Sequence, residues 1–314
     1  MAYNNIIGRA DAAGTIPVEY SNELLDGMQA ESSHVLRLSR RLRNMSRYET
    51  KLPVVSALAT AYFRNGDTGM VQTSEVNWTD VTVTAEELDV LVPIPKTVLN
   101  DMNIPVWESI QPDLITALGL AVDNASLYGT NKPSTWPTAI VTAATSASHT
   151  VALGTGADLY DDLLGESGVF GLVEADGFMV SGSIAHLTMK AKLRGVRTTD
   201  GVPVFNPIPQ TPGDYTLDGA PIYFPKNGAG SATNLLIAGD WSQHVYSMRS
   251  DMEFEIFTEG VIQDAGGNIV YNLMQQKMAA IMVTMRLGTA LPNPVNRVNS
   301  NAATRYPFAV LTSS

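Results

Sequence analysis

The chain has 314 residues, enough to bury a sizeable core as one large or two modest domains. A net charge of −11 argues against a general nucleic-acid binder, and the lack of cysteine excludes disulfides and thiolate metal sites. Hydrophobic residues make up 45% and charged residues 16%, so much of the surface is neutral, as suits either a subunit covered largely by copies of itself or a monomer with Ser/Thr-rich loops.

Residues 1–30 mix Gly, Pro and polar residues and read as an extended arm with a short helical piece near Ser21–Leu25. The start has no basic stretch leading into an apolar one, and no apolar run approaches the ~20 residues that span a bilayer, so no membrane partner is expected. From Ser32 to Tyr48, Val35, Leu38, Leu42 and Met45 recur at helical spacing. Arg37, Arg40, Arg41, Arg43 and Arg47 take the other faces; with Lys51 against Glu49 they give a local +5, six basic less one acidic.

From Leu52 the pattern becomes that of strands. Leu52–Arg64 is followed by the turn cluster Asn65-Gly66-Asp67-Thr68-Gly69 and a return strand. On that strand Trp78, Asp80, Thr82 and Thr84 share one face, and Val81, Val83 and Ala85 the other. It is predicted to continue through Leu88 and Ile94 to Pro95, well past the ~5–6 residues of a usual strand. A hairpin this long has no core of its own and must be held from outside. Asp67, Glu75, Asp80, Glu86, Glu87 and Asp89 against Arg64 give it a net −5, one basic less six acidic.

A long helix is predicted after Pro105, with Trp107, Ile110, Leu114, Ala117, Leu118, Ala121 and Ala125 in one apolar stripe. Pro112 removes a backbone donor and is expected to kink or restart it. Residues 141–157 read as a loop. Asp158–Glu174 and Ser183–Arg194 read as helices around a short buried strand, Gly177–Ser181. The Pro-rich stretch 200–231 reads mostly as loop. Leu235–Ala238, Met252–Phe257 and Tyr271–Leu287 are predicted strands, although Met274, Met278, Ile281 and Met285 also fit helical spacing.

Little in the chain points to chemistry. His34, His149, His186 and His244 are far apart and read as surface or satisfied core residues, not metal ligands. Asp158, Asp161 and Asp162 suit the positive start of a helix better than a calcium loop. No metal, cofactor or catalytic residue is expected.

The helix end Asp123-Asn-Ala-Ser-Leu-Tyr-Gly129, with Lys132-Pro-Ser-Thr-Trp-Pro137 after it, resembles a signature of tailed-phage major capsid proteins. Further pieces follow in the family's order. They are Phe178–Ser181 with Asp200-Gly201 and Pro203, Leu217–Ile222, Ile237–Trp241 with Tyr246, Arg286–Gly288, and Pro307–Leu311. The series, over about residues 50–314, resembles the Hong Kong 97-type capsid family.

That resemblance implies an α+β fold in named parts. These are an N-terminal arm (1–33), a peripheral domain (34–52 with the basic helix, then 92–160 with the spine helix, and 246–290), an extended loop (53–91) and an axial domain (161–245 and 291–314). It implies a phage major capsid protein, not an enzyme, assembling in the host cytoplasm as pentamers and hexamers into an icosahedral virion shell around double-stranded DNA. Implied partners are further copies of itself, a portal protein, a separate scaffolding protein and, as an optional addition, a decoration protein. Some relatives crosslink their shells through an extended-loop lysine. Here no Lys lies between Lys51 and Lys96, and the Arg64 guanidinium is no amine nucleophile, so an uncrosslinked shell is expected.

Contacts between subunits are expected at Arg37, Arg40, Arg41, Arg43, Arg47, Arg64, Glu75, Trp78, Asp80, Glu86 and Glu87, with the acidic hairpin against a neighbour's basic helix. Pro112 is expected to bend the long helix. Two other readings stay open: an encapsulin-like nanocompartment on the same fold, and a soluble α+β enzyme using paired carboxylates such as Glu253 and Glu255.

Overall fold

The computed structural model describes residues 32–64, 66, 69–101, 106–197 and 215–313. The expected arm, most of the turn cluster at 65–69 and the Asp200-Gly201-Pro203 piece lie outside these residues. Among the described residues, a four-stranded and a six-stranded sheet organise the body, beside two two-stranded sheets.

The first sheet has the order β1-β10-β13-β4: β1 (Arg40–Arg41), β10 (Val245–Phe257), β13 (Met278–Ala290) and β4 (Glu86–Pro95). β13 is flanked on both edges by antiparallel partners, so its backbone groups are satisfied on both sides. That settles the ambiguity of its methionines. Met278 and Met285 are buried in a strand, while Met274 is exposed in the turn before it.

The long helix, Val106–Tyr128, packs Leu114, Leu118, Val122 and Ala125 onto Met248, Val283, Met285 and Leu287 of this sheet. It runs unbroken through Pro112, neither ending nor restarting there. Ala117 of the expected stripe is exposed; the buried line turns instead through Val122.

The second sheet has the order β5-β14-β9-β6-β8-β7. Its strands are β5 (Thr150–Ala152), β6 (Gly182–Ala185), β7 (Tyr215–Leu217), β8 (Ala220–Tyr223), β9 (Asn234–Gly239) and β14 (Phe308–Thr312). One core joins Leu235, Leu236 and Leu311 of the sheet to Leu163, Phe170 and Leu193 of nearby helices. Another joins Ile237, Phe308 and Val310 to Ile140, Ala144, Leu127 and Trp241. β5 pairs with β14 in parallel, so residues 150–152 form one edge of this sheet.

Several expectations change here. Residues 141–157 are not all loop: Ile140–Ser146 is a helix that buries Ile140 and Ala144 one turn apart, so small side chains mark close packing. Asp158–Glu174 splits into helices Leu159–Leu164 and Val169–Ala175, because Gly165 and Gly168 pack against the Asp161 carbonyl where a Cβ would meet it. The buried strand is Gly182–Ala185, not Gly177–Ser181, and the helix expected from Ser183 starts at Leu187.

The basic helix is also revised. Only His34–Leu38 is helical. At Ser39 the chain crosses to the free edge of β10, where the Arg40, Leu42 and Met45 amides donate to the carbonyls of His244, Tyr246 and Met248. Hydrogen bonds to a sheet edge replace those of a helix, while Met45 stays buried and Leu42 partly so.

Candidate assembly interfaces

The hairpin consists of β2 (Glu49–Ala57) and β3 (Asn77–Thr84), antiparallel and separate from both large sheets. The single long strand expected from 78 to 95 is two strands. Ala85, fully buried, ends the hairpin, and β4 then enters the four-stranded sheet beside β13. Glu86, Glu87 and Asp89 therefore belong to the body and not to the extended loop, whose expected boundary at 91 moves back to Ala85.

The root of the hairpin is tightly seated. Val83 and Ala85 pack with Met45, Val245 and Ala290. A Cβ on Gly288 would stand 2.5 Å from the Thr84 carbonyl oxygen, so the strands meet there only because residue 288 has no side chain. Further out the hairpin is bare. Tyr62, Phe63, Met70, Val71 and Trp78 are all exposed, and Phe63 meets no cover among the described residues at 105% relative exposure.

The expected contact residues do not form one cluster. Arg40, Arg41, Arg43 and Arg47 are exposed along the edge beside β10, and Arg41 donates to the Asn44 side chain. Arg37 stacks its guanidinium 4.5 Å from the Tyr223 ring centre, which ties it to the six-stranded sheet. Arg64 donates to the Gly66 carbonyl, and Glu75 is exposed nearby on the hairpin. Lys51 and Asp80 approach to 3.9 Å across the hairpin with both side chains more than half in solvent, a weak pair. Glu86 accepts from Tyr48 at 3.1 Å and from Thr135 at 2.7 Å, so it braces its own subunit; the Tyr48 bond also pushes that hydroxyl above its ordinary pKa. Glu87 is exposed. Glu253 and Glu255 share an exposed face of β10, as alternate strand residues must.

Three buried polar groups hold the body together, a role that sequence reasoning gave to none of them, although it read His244 as a surface or satisfied core residue. Asp123, fully buried on the long helix, accepts from Ser33 Oγ (2.7 Å), the Val35 amide (3.1 Å), the His34 amide (3.2 Å) and Asn227 Nδ2 (3.0 Å). Its carboxyl is pushed up to about 6, because desolvation outweighs the four bonds that favour the anion. Gly119, one turn earlier, lets Ser32 lie against the helix; a Cβ would come within 2.5 Å of the Ser32 Cβ.

His244 is the second group. Its Nδ1 stands 2.7 Å from Ser39 Oγ, whose hydrogen goes to the Val35 carbonyl at 2.6 Å, so the ring nitrogen is the donor. Burial pushes the ring down to about 4 and leaves it neutral at pH 7.

The third is Asp176, buried after helix Val169–Ala175, with His149 Nε2 3.2 Å away. Both histidines are satisfied core residues, and His186 caps the helix from Leu187 by accepting from the Thr188 amide. Asp158 caps the helix from Leu159 as expected, whereas Asp162 instead fixes the Gly154 and Gly156 amides.

No described helix is long and apolar enough to cross a membrane. The body of two large sheets with its exposed hairpin is similar to known proteins. Residues 12–296 match the phage capsid family. A solved structure from Microbacterium phage Oxtober96 is 29% identical with a TM-score of 0.78, over 99% of this chain and 100% of that one. One from Mycobacterium phage Adephagia is 26% identical with a TM-score of 0.77, over 99% of each chain. The capsid of an empty GTA particle, computed with C5 symmetry, shares the fold at 13% identity and a TM-score of 0.60, over 90% of each chain. No curated protein matches. The chain belongs to the phage capsid family and is a structural protein of the self-assembling virion shell.

Proposed function

We propose that this protein closes an icosahedral shell as pentamers and hexamers, encloses double-stranded DNA and does so without covalent crosslinks, in the cytoplasm of the host. The bare hairpin carries the proposal. Apolar side chains such as Phe63, Met70 and Val71 gain most if a neighbouring subunit covers them, each being worth about 1.5–3 kcal/mol when fully buried. In this reading the six-stranded sheet and its helices form the axial domain around each ring. The four-stranded sheet and the long helix form the peripheral domain, and the hairpin reaches the next subunit. A portal, a separate scaffold and a decoration protein are the partners such a shell would use.

The purified protein is expected to form closed particles of megadalton mass by electron microscopy and sedimentation. Denaturing electrophoresis of those particles is expected to give one band near 33.7 kDa. A small soluble oligomer would sink the shell, and a ladder of covalent multimers would sink the uncrosslinked form alone.

The exposed arginines beside β10 are proposed to meet acidic groups of a neighbour, chiefly Glu75 and Glu87, with charge setting partner choice and register. Neutralising Arg40, Arg41 and Arg43 together should cut particle yield several-fold at low salt, with the wild type approaching the variant as salt screens the contact. Equal yields across a salt series would remove this role. Pro112 is proposed as the site where the long helix bends during shell expansion, and Pro112→Ala shells that expand normally would refute it.

A further inference from the structure

The segment from Asn293 to Arg305 contains no helix or strand, yet it is among the most thoroughly bonded stretches of the body. Arg305 is 4% exposed and spends its guanidinium inside the segment. Nε donates to Asn293 Oδ1 (3.2 Å), Nη1 to the Asn299 carbonyl (3.0 Å) and Nη2 to the Asn293 carbonyl (3.1 Å). Asn293 Nδ2 returns a bond to the Arg305 carbonyl at 2.8 Å, which closes the segment into a ring. A ring closed by a planar, five-donor group resists deformation better than a free loop of this length.

One side of this ring is bolted to the body. The Asp176 carboxylate accepts from Asn299 Nδ2 and from the Tyr306 amide, both at 2.7 Å, and the Asp176 carbonyl accepts from Asn296 Nδ2 at 2.6 Å. Gly177 allows the close approach, since a Cβ there would lie 2.8 Å from the Val298 Cβ. The other side reaches the hairpin. The Val295 amide donates to the Val55 carbonyl of β2 at 3.2 Å, and Arg297 Nη2 donates to the Ala59 carbonyl at 2.9 Å.

We propose that residues 293–305 are a strut that sets the angle between the hairpin and the body. Arg297 is the positioning residue at the hairpin end and Asn296 and Asn299 those at the body end. The proposal rests on the shell reading, because the hairpin's angle matters for curvature only if the hairpin meets a neighbour. Its physical basis is independent of that reading. Beyond Val54, the last buried residue of β2, the bonds at Val55 and Ala59 are a large share of what can hold the hairpin in its direction. Tilting it away from the body breaks both.

The test uses the full chain with Arg297→Ala at one end and the pair Asn296→Ala, Asn299→Ala at the other. Hydrogen exchange on unassembled subunits reads the hairpin peptides covering 49–57 and 77–84, none of which is altered. Exchange there should rise about fivefold in both variants, the loss of roughly one net hydrogen bond. Assembled particles should spread from one diameter to several, and Arg297→Lys, which keeps a donor within reach of Ala59, should restore both readouts. Hairpin peptides at wild-type exchange rates in both variants would overturn the strut, whatever happens at the Val295 amide, which the bond to Val55 itself protects. So would variant particles of a single wild-type diameter. Failure of the wild type itself to form particles would count against the shell reading while leaving the exchange result to decide the strut.

Discussion

Asp123→Ala is expected to cost the folded chain about 3 kcal/mol, measured by denaturant unfolding, because it leaves buried donors without an acceptor. The four donors come from places far apart in sequence: Ser33, His34 and Val35 at the start of the described chain, and Asn227 in the loop before β9. The variant should therefore free residues 32–36 from the long helix, and rapid hydrogen exchange at the Val35 and Leu36 amides would report it. Stability and exchange both unchanged would show that the cluster holds nothing.

The same carboxylate gives a pH dependence with a definite sign. Its pKa in the folded chain, about 6, lies above the ordinary 3.8, so between these values the folded state holds a proton that the unfolded state has released. The group's contribution is complete below about pH 4, falls as pH rises through about 6, and is flat above. Asp123→Asn removes this titration. The stability of the wild type relative to Asp123→Asn should therefore decline from about pH 4 to about pH 7; a gap that widens with pH would reverse the assignment.

Trp241→Ala should be the most damaging substitution in the six-stranded half, at about 3–5 kcal/mol for a large aromatic removed from a closed core. The side chain is fully buried and meets the Phe308 ring edge-on at 5.0 Å. It also donates from Nε1 to the Gly182 carbonyl at 3.0 Å, while its amide donates to Ser181 Oγ at 2.9 Å. Trp241→Phe keeps most of the packing but loses the indole bond and part of the ring volume, so about 1–2 kcal/mol is expected. Equal losses from the two variants would mean that the hydrogen bond, not the volume, carries the residue's contribution.

Much of this architecture was legible in the chain. The long helix and the existence of a hairpin follow from periodicity and turn residues, which are local, although the strands expected at 52–64, 78–95 and 271–287 are observed at 49–57, 77–84 with 86–95, and 269–272 with 278–290. What escaped was decided by distant partners. Val35, Leu38, Leu42 and Met45 have helical spacing, but the free edge of β10 offers carbonyls about two hundred residues away in sequence, and the backbone takes those after Ser39. Residues 78–95 read as one strand only if the change of phase at Glu86-Glu87 is passed over, where the apolar positions shift from Val81, Val83 and Ala85 to Leu88, Val90, Val92 and Ile94; that shift marks where one sheet ends and another begins. At the candidate interfaces, composition identified an acidic hairpin and a basic stretch. The fold reassigns Glu86, Glu87 and Asp89 to the body and leaves aromatic and methionine side chains as the main exposed feature of the hairpin. Asp123 stood in the signature as a helix-end acid; its burial depends on Ser33 and Asn227, which no spacing rule connects to it.

The junction at Ala85 also fixes how the subunit bears load. With one residue between β3 and β4, tension applied at the hairpin passes along the covalent backbone into a strand whose ten residues are all paired with β13. A pull along that strand must shear the whole ladder at once, whereas a pull across it would open the pairs one after another. The hairpin is thus anchored in the direction in which a strand is strongest, a property of use to any wall that must resist pressure from within.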